Sequence, residues 1–212
     1  MGTARSLGLT LERTLPAVNE EAAFVSELQA GSPEAFAYLL SVYQNPVFNL
    51  VSHMLSNQAD AADVLQEVFL KIYKGIGNFN GDSSLKTWIY RIAIHEASNH
   101  RRSWFRRHWH EPFSLDDDES PSAVATAEAA ASGRDPYQVL EQAEREEVVK
   151  RALASLAPPY RAVVVLREIE GLPYDEIAEV TGLAEGTVKS RLLRGRELLR
   201  RKLATYVGSE HV

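Results

Sequence analysis

The sequence predicts an all-α protein made of two small helical domains that are joined by a flexible acidic linker. Apolar residues recur every three or four positions in several separate segments, and no segment keeps the alternating pattern of a half-buried strand. From Trp109 to about Gln138 this periodicity disappears, and prolines, acidic residues and alanines take its place. The predicted units are a mobile tail at 1–18, a first domain at 19–108, a linker at 109–138, a second domain at 139–207 and a short tail at 208–212.

The composition excludes several classes of protein. No cysteine occurs among the 212 residues, which excludes disulfides, thiolate metal sites and a cysteine nucleophile. We expect a cytoplasmic protein without membrane insertion, because no run of eighteen apolar residues and no apolar leader is present. The formal net charge is −6, but the charge is unevenly distributed. A basic block around 101–107 and a basic C-terminal segment flank an acidic run at 116–119, which indicates two positive modules with an acidic connection.

Capping signals mark the first helices. Asn19 can cap a helix that Gly31 closes, and the Ser-Pro-Glu sequence at 32–34 begins the next one. Apolar residues at helical spacing then continue to Leu55. Pro46 lies inside this series, so we expect it to bend or break the helix.

The following segment, from Asp60 to Lys74, has two distinct sides. Its broad apolar side consists of Val64, Leu65, Val68, Phe69, Ile72 and Tyr73. Its other side consists of Asp63, Gln66, Glu67, Leu70 and Lys74. Leu70 is a large apolar group among polar ones, which is typical of a protein-docking patch, although single exposed leucines are also common on ordinary surfaces.

A turn-rich loop surrounds Phe79 and leads into a helix that Ser83 or Ser84 can cap. The buried side of this helix is predicted to hold Leu85, Trp88, Ile89, Ile92 and Ala93. His95 and Asn99 lie one turn apart beside the edge of Trp88, with arginines nearby. Aromatic rings next to cationic side chains are typical of single-strand nucleic-acid binding, but a tryptophan at this position also fits an ordinary core.

Helical order returns near Val139 and stops at Pro158 and Pro159, after which an apolar helix runs from Tyr160 to Glu168. The segment from Glu170 to Lys202 then has the pattern of a helix-turn-helix.

Within that pattern, Pro173 suits a first helical turn and Gly182 supplies the left-handed residue that ends the short helix. A second helix begins near Glu185. At about 100° per residue, its apolar stripe contains Val188, Leu192, Leu199 and Leu203. Its opposite face contains Thr187, Ser190, Arg194 and Arg201. Guanidinium groups and short hydroxyls can bind phosphates and base edges in a major groove, so this face is predicted to contact DNA. The alternative interpretation is an ordinary basic amphipathic helix with one face in solvent.

Several of these stretches coincide with one family. In order along the chain they are DAADVLQEVFLKIY, FNGDSSLKTWIYRIA and LAPPYRAVVVLREIEGLPYDEIAEVTGLAEGTVKSRLLRGR. Over roughly residues 22–205 the chain resembles a bacterial RNA polymerase sigma factor of the extracytoplasmic-function (ECF) class, with a sigma region 2 helical bundle and a sigma region 4 helix-turn-helix. The resemblance implies an alternative sigma factor that binds core RNA polymerase, recognises the minus-thirty-five and minus-ten promoter elements, and promotes DNA melting.

The resemblance also implies roles for individual residues. The clamp of the largest polymerase subunit should meet Asp63, Gln66, Glu67 and Leu70. The minus-ten strand, with one flipped base in a loop pocket, should meet Phe79, Asn80, Gly81, Asp82, Ser83, Trp88, His95, Asn99 and Arg102. His95 departs from the family pattern, in which asparagine is usual. The minus-thirty-five element should meet Tyr174, Thr187, Lys189, Ser190, Arg191 and Arg194.

Further partners follow from the same resemblance. They are the flap of the second-largest polymerase subunit and an anti-sigma factor, and the acidic linker should thread the polymerase product channel. Gly195 stands where alanine is usual, which costs about 1 kcal/mol in helix propensity, and close packing would account for it.

Two other functions would require different sequence features. A stand-alone helix-turn-helix regulator would bind an operator tightly, usually as a dimer, but the chain has no dimerisation heptads and no ligand-sensing domain. An enzyme would need a reactive constellation. The histidines near 95–100 and 108–110 lack zinc-site spacing, and no serine lies in a nucleophile elbow. We therefore expect no catalytic residue, no cofactor and no metal.

Overall fold

The computed structural model describes residues 18–55, 57–108 and 136–209, and within these ranges every regular element is helical. The elements of the first module are α1 (Val18–Gln29), α2 (Pro33–Met54), α3 (Gln58–Gly75), a short 3₁₀ turn (Ile76–Asn78) and α4 (Leu85–His108). Those of the second module are α5 (Pro136–Ala154), α6 (Pro158–Val164) with a π-helical continuation (Val165–Ile169), α7 (Tyr174–Thr181) and α8 (Glu185–Ser209). The predicted all-α class is confirmed. The mobile tail and most of the acidic linker predicted from the sequence lie outside the described residues.

The core of the first module lies between α2, α3 and α4. The Ser32 side chain accepts a hydrogen bond from the Ala35 backbone nitrogen at 3.2 Å, which caps α2 as the sequence predicts. Pro46 lies inside α2, yet the helix continues to Met54, so the predicted break is wrong. Fully buried apolar residues on both sides of Pro46 hold the helix in place, and this packing outweighs the lost backbone donor.

α1 fixes the loop between α3 and α4. The Gln29 side chain donates to the carbonyl oxygens of Ile76 at 3.1 Å and Phe79 at 2.8 Å. The Glu21 carboxylate accepts from the Leu85 backbone nitrogen at 2.9 Å, which satisfies one of the free donors at the start of α4. Ser84 supplies the cap itself, because its hydroxyl accepts from the Thr87 nitrogen at 3.1 Å. The loop is therefore held by side chains that are distant in sequence.

The second module packs α6 and α7 against α8. Helix α5 begins at Pro136, three residues before the predicted return of helical order at Val139. Gly182 has a φ of 68°, so it ends α7 in the left-handed conformation that the sequence predicts. A Cβ at Gly195 would lie 2.6 Å from Val164 Cγ2 and 3.4 Å from the Tyr160 carbonyl oxygen. This close approach of α8 to α6 explains why glycine occupies the middle of a helix.

The two modules contact each other through a joint formed mainly by α4 with α7 and by α2 with the second module. Arg161 is 1% exposed, and its guanidinium donates to the carbonyl oxygen of Met54 at 2.7 Å and also to those of Ala154 and Leu156. These carbonyls lie at or just beyond the C-terminal ends of α2 and α5, where partial negative charge accumulates. Burial and the nearby Arg101 lower the pKa of Arg161 to about 10, so it stays charged at neutral pH.

No helix within the described ranges is both long and apolar enough to cross a membrane.

Candidate nucleic-acid and protein interfaces

The polar side of α3 forms an exposed surface, as the sequence predicts. Asp63, Gln66 and Glu67 are exposed, and Leu70 is 49% exposed, while Val68 on the opposite side is fully buried. We call these four exposed residues the α3 surface. Tyr73 was expected on the buried side, and this is wrong, because its side chain is 63% exposed.

Tyr73 packs at the surface rather than in the core. Its ring rests on that of Phe36 from α2, with centroids 4.9 Å apart. Phe36 is itself only half-buried. The two rings therefore form a partly exposed apolar patch on the first module. Tyr73 lies three residues after Leu70 in the sequence.

The loop from Phe79 to Ser83 divides into a buried support and an exposed tip. Phe79 is only 8% exposed, and its ring packs on Trp88 with centroids 5.3 Å apart. Asn80 donates to the Asp82 carboxylate at 2.6 Å, and Gly81 between them has a φ of 79°. Asn80, Gly81 and Asp82 are exposed, so any direct contact to a ligand would be made by the tip rather than by the Phe79 ring.

Four side chains meet on the exposed side of α4. His95 is exposed, Asn99 is half-buried, and the Asn99 amide nitrogen lies 3.1 Å from His95 Nδ1. Glu96 Oε1 lies 3.0 Å from the same ring nitrogen and 2.6 Å from Lys71 Nζ on α3. The structure therefore brings together the predicted pair His95 and Asn99. It adds two charged residues that sequence reasoning missed, and the only sequence signal was that Glu96 is adjacent to His95.

The remaining minus-ten candidate is basic. Arg102 lies on α4, but its side chain is outside the described part of the structure. The neighbouring Arg101 is half-buried, and burial lowers its pKa.

Helix α8 has the two faces that the sequence predicts. Val188 and Leu192 are buried, and Leu199 packs partly against the core. Ser190 and Arg194 are exposed, with Thr187 and Arg191 half-buried beside them. Hydroxyl and guanidinium groups thus remain open on the side of α8 away from the core, next to Leu193, which is 73% exposed.

The cations of α8 differ in their surroundings. Lys189 pairs with Glu185 at 2.5 Å, and its ammonium lies 5.6 Å from the centre of the Tyr174 ring. The hydrogen bond to Glu185 raises the pKa of Lys189. Arg196 donates two hydrogen bonds to Glu168, at 2.9 and 2.7 Å. Arg194 is exposed and makes no ion pair within the described ranges. Its guanidinium is therefore the one on this face of α8 that is most accessible to a ligand.

The described candidate residues form three separate surfaces. The α3 surface, the loop tip with the α4 cluster, and the α8 face each present exposed polar groups. Among the described residues, no group of histidine and acidic side chains could hold a metal ion.

Comparison with known proteins decides the family. A model of sigma-70 region 2 matches residues 39–107, and a model of sigma-70 region 4 matches residues 146–199. The ECF RNA polymerase sigma-E factor of Haemophilus influenzae is 35% identical over 181 residues, which cover 85% of this chain and 94% of the relative. The chain belongs to the ECF sigma factors.

Other relatives agree with this assignment. The RNA polymerase sigma-H factor of Pseudomonas aeruginosa is 36% identical over 188 residues, covering 84% of this chain and 91% of its own. The structure of a sigma factor RpoE in complex with the anti-sigma factor NepR from Bartonella quintana has a similar fold. Its TM-score is 0.59 at 21% identity, over 80% of this chain and 96% of that one. Sigma factors are transcription initiation factors rather than enzymes, and the family does not favour a stand-alone regulator.

Proposed function

We propose that this ECF sigma factor binds core RNA polymerase through its first module and reads two promoter elements, one with each module. The observation that carries the proposal is the position of the exposed groups. The α3 surface, the loop tip with His95 and Asn99, and the α8 face all remain open after each module has buried its own core. The protein would supply no catalysis and would act in the cytoplasm, where the polymerase makes RNA.

The α3 surface supports a protein contact. Leu70 is half-exposed, with Gln66 and Glu67 one helical turn before it and Asp63 a further turn away. An exposed apolar anchor beside polar groups is an arrangement in which a few side chains can dominate binding energy. We assign this surface to the clamp of the largest polymerase subunit, and the second module to the flap of the second-largest subunit.

The loop tip and α4 support a contact with the nontemplate strand of the minus-ten element. Asn80, Gly81 and Asp82 project from a loop that Phe79 and Trp88 support from below. Removing a base from the stack costs a few kcal/mol of free energy. A loop that is already formed before binding needs no further free energy to be ordered, so more of the binding free energy is available to hold the flipped base. Phe79 and Trp88 would then act mainly by holding the loop, with His95, Asn99 and Arg102 along the strand.

The α8 face supports major-groove reading of the minus-thirty-five element. Thr187, Ser190, Arg191 and Arg194 lie toward the N-terminal half of α8, which is where a recognition helix contacts base edges. Lys189 and Tyr174 lie together beside this face, and we assign them to the neighbouring phosphates. An anti-sigma factor would act by covering one or more of these surfaces.

The joint between the modules would open on a promoter. A domain of about 100 residues has a radius of gyration of about 13 Å, and α4 of the first module contacts α7 of the second, so the two modules together measure less than the distance between two promoter elements. Elements centred near minus ten and minus thirty-five are about 25 base pairs apart, or about 85 Å along B-DNA. One chain can therefore span both only if the modules separate. Once one module is bound, the linker sets the effective concentration of the other module at its promoter element, so two modules with weak individual affinity can bind tightly together.

Two measurements test the proposal. Promoter duplex should bind the purified chain weakly and the complex of chain and core polymerase tightly, whereas tight binding by the chain alone would contradict the proposal.

The second measurement follows the distance between the modules. Because the native chain has no cysteine, dyes can be placed at Ser41→Cys and Glu144→Cys, both exposed and one on each module. Energy transfer between the dyes should fall when polymerase and promoter are added, and an unchanged signal would argue against opening.

A further inference from the structure

A series of polar contacts runs from α3 to the exposed histidine of α4. Lys71 Nζ lies 2.6 Å from Glu96 Oε1, and the same oxygen lies 3.0 Å from His95 Nδ1. The Glu96 side chain is only 12% exposed, whereas that of His95 is 68% exposed. Glu96 therefore connects a lysine on one helix to an imidazole that faces solvent on the next.

Glu96 acts as an acceptor in both contacts. Burial raises its pKa, but the hydrogen bonds from Lys71 and His95 outweigh burial and hold the pKa below its ordinary value. An ionised carboxylate has no proton to donate, so the proton between Glu96 and His95 belongs to Nδ1. In a neutral imidazole with the proton on Nδ1, the other nitrogen, Nε2, carries a free lone pair.

Asn99 supports the ring without occupying that lone pair. Its amide nitrogen lies 3.1 Å from Nδ1 and 3.4 Å from Nε2. A nitrogen at similar distances from both ring nitrogens lies over the face of the imidazole, whereas the Nε2 lone pair points outward in the plane of the ring. Nε2 is thus left open toward solvent.

We infer that Glu96, held by Lys71, is a positioning residue that fixes the tautomer of His95 and so presents Nε2 as a hydrogen-bond acceptor to a base of the minus-ten strand. This inference rests on the proposed function. An acceptor is complementary to the exocyclic amino group of adenine or cytosine, and it is mismatched with the carbonyl oxygen of guanine or thymine at the same position. An asparagine would offer both a donor and an acceptor, so histidine narrows the readout to the amino groups of adenine N6 and cytosine N4, in place of the oxygens of guanine O6 and thymine O4.

The test uses the complex of the full chain with core polymerase and fork-junction DNA whose minus-ten nontemplate strand is single-stranded. Binding is first compared for DNA with each base at each minus-ten position. The position contacted by His95 is the one at which the effect of base identity on binding differs between the native chain and His95→Ala. At that position, adenine is compared with hypoxanthine and cytosine with uracil, because each pair exchanges an amino group for a carbonyl oxygen. The amino base should be favoured about two- to tenfold, the range of one net hydrogen bond.

Glu96→Gln should bring that ratio close to one, since an amide can either donate or accept and no longer fixes the tautomer. The ratio is measured rather than the affinity, because removing a negative charge strengthens binding to every sequence. The control is the same substitution in a His95→Asn background, where the ratio should not change. An unchanged ratio in the native background, an equal change in both backgrounds, or no position that responds to His95→Ala would each overturn the inference.

A second measurement does not depend on the substitutions folding well. Long-range ¹H–¹⁵N spectra of the native chain report which nitrogen of each histidine carries the proton, and His95→Asn identifies the His95 signals among the six histidines. The inference requires the proton on Nδ1, and a proton on Nε2 would overturn it.

The binding experiment separates the inference from the proposed function on which it rests. Binding to fork-junction DNA with an unchanged ratio would overturn only the role of Glu96. A complete absence of binding to fork-junction DNA would overturn the proposed function, and the base contact with it.

Discussion

Tyr90 on α4 donates a hydrogen bond to the Glu170 carboxylate at 2.8 Å, and this contact joins two residues that are 80 positions apart in the chain. It lies in the joint between the modules, next to Arg91, whose guanidinium donates to the Glu179 carbonyl oxygen at 3.0 Å. Burial raises the pKa of Glu170, although the Tyr90 hydrogen bond partly offsets that effect. The pKa of Tyr90 is also raised, chiefly by burial and then by the charge of Glu170.

A dependence of stability on pH follows from the raised pKa of Glu170. Between its ordinary value and its raised value, the folded protein binds more protons than the unfolded chain, so stability falls as pH rises through this window. At neutral pH the buried carboxylate is therefore destabilising. We expect Glu170→Gln to raise the free energy of unfolding at neutral pH, with the gain disappearing at a pH below the ordinary glutamate value. Urea unfolding across this pH range measures the effect, and a gain that persists at low pH would contradict this cause.

Gly195→Ala tests the contact between α8 and α6. The new methyl group would lie 2.6 Å from Val164 Cγ2. Such overpacking costs about 1–3 kcal/mol, and better helix propensity returns at most about 1 kcal/mol. We expect a net loss on the order of 1 kcal/mol in urea unfolding. The matched control is Gly186→Ala on the same helix, where no atom lies within 4 Å of the new group, and stability should stay the same or rise.

Leu70→Asp tests the α3 surface. Leu70 is 49% exposed, so the substitution should leave the fold intact while it removes the one apolar group of the α3 surface. We expect binding to core polymerase to weaken by about 2 kcal/mol or more, as for a central interface anchor. The control is Leu40→Asp, since Leu40 is 41% exposed and lies on α2. Equal losses in titrations of labelled protein with core polymerase would mean that Leu70 has no special role.

Arg194→Ala tests base reading by α8. Arg194 is exposed on the polar face, and losing a guanidinium that contacts a base should cost about 1–3 kcal/mol at one position of the minus-thirty-five element. Binding of the polymerase complex to duplexes with each base at each position measures this. Arg196→Ala serves as the comparison, because Arg196 is already paired with Glu168. A loss that is uniform over all sequences would indicate a phosphate contact only.

Features governed by local chemistry were predicted correctly from the sequence. The cap at Ser32, the left-handed Gly182 and the two faces of α8 depend on residues within one or two helical turns of each other. The resemblance to the ECF sigma factors was confirmed by similarity over 85% of the chain. The functional assignments of the site residues remain predictions, although the structure places most of them on exposed surfaces.

Features set by tertiary contacts could not be predicted. Tyr73 follows the apolar period of α3, yet it is 63% exposed, so the period alone does not determine whether a side chain is buried. Glu96 and His95 are adjacent in sequence, and adjacent helical residues point about 100° apart, so the contact between them is not a property of the helix pattern. Lys71 from α3 contacts the same Glu96 oxygen, and the sequence does not show that α3 and α4 meet there. The docking of α4 on α7 likewise joins segments that the linker separates.

The central claim is that this chain directs an enzyme complex to promoters, and transcription from genomic DNA tests it most directly. Core polymerase is supplied with the purified chain, and the 5′ ends of the RNA products are mapped. We expect discrete start sites that share two upstream sequence elements at a fixed spacing and that are absent with core polymerase alone. Start sites that do not differ from those of core polymerase alone would contradict the account.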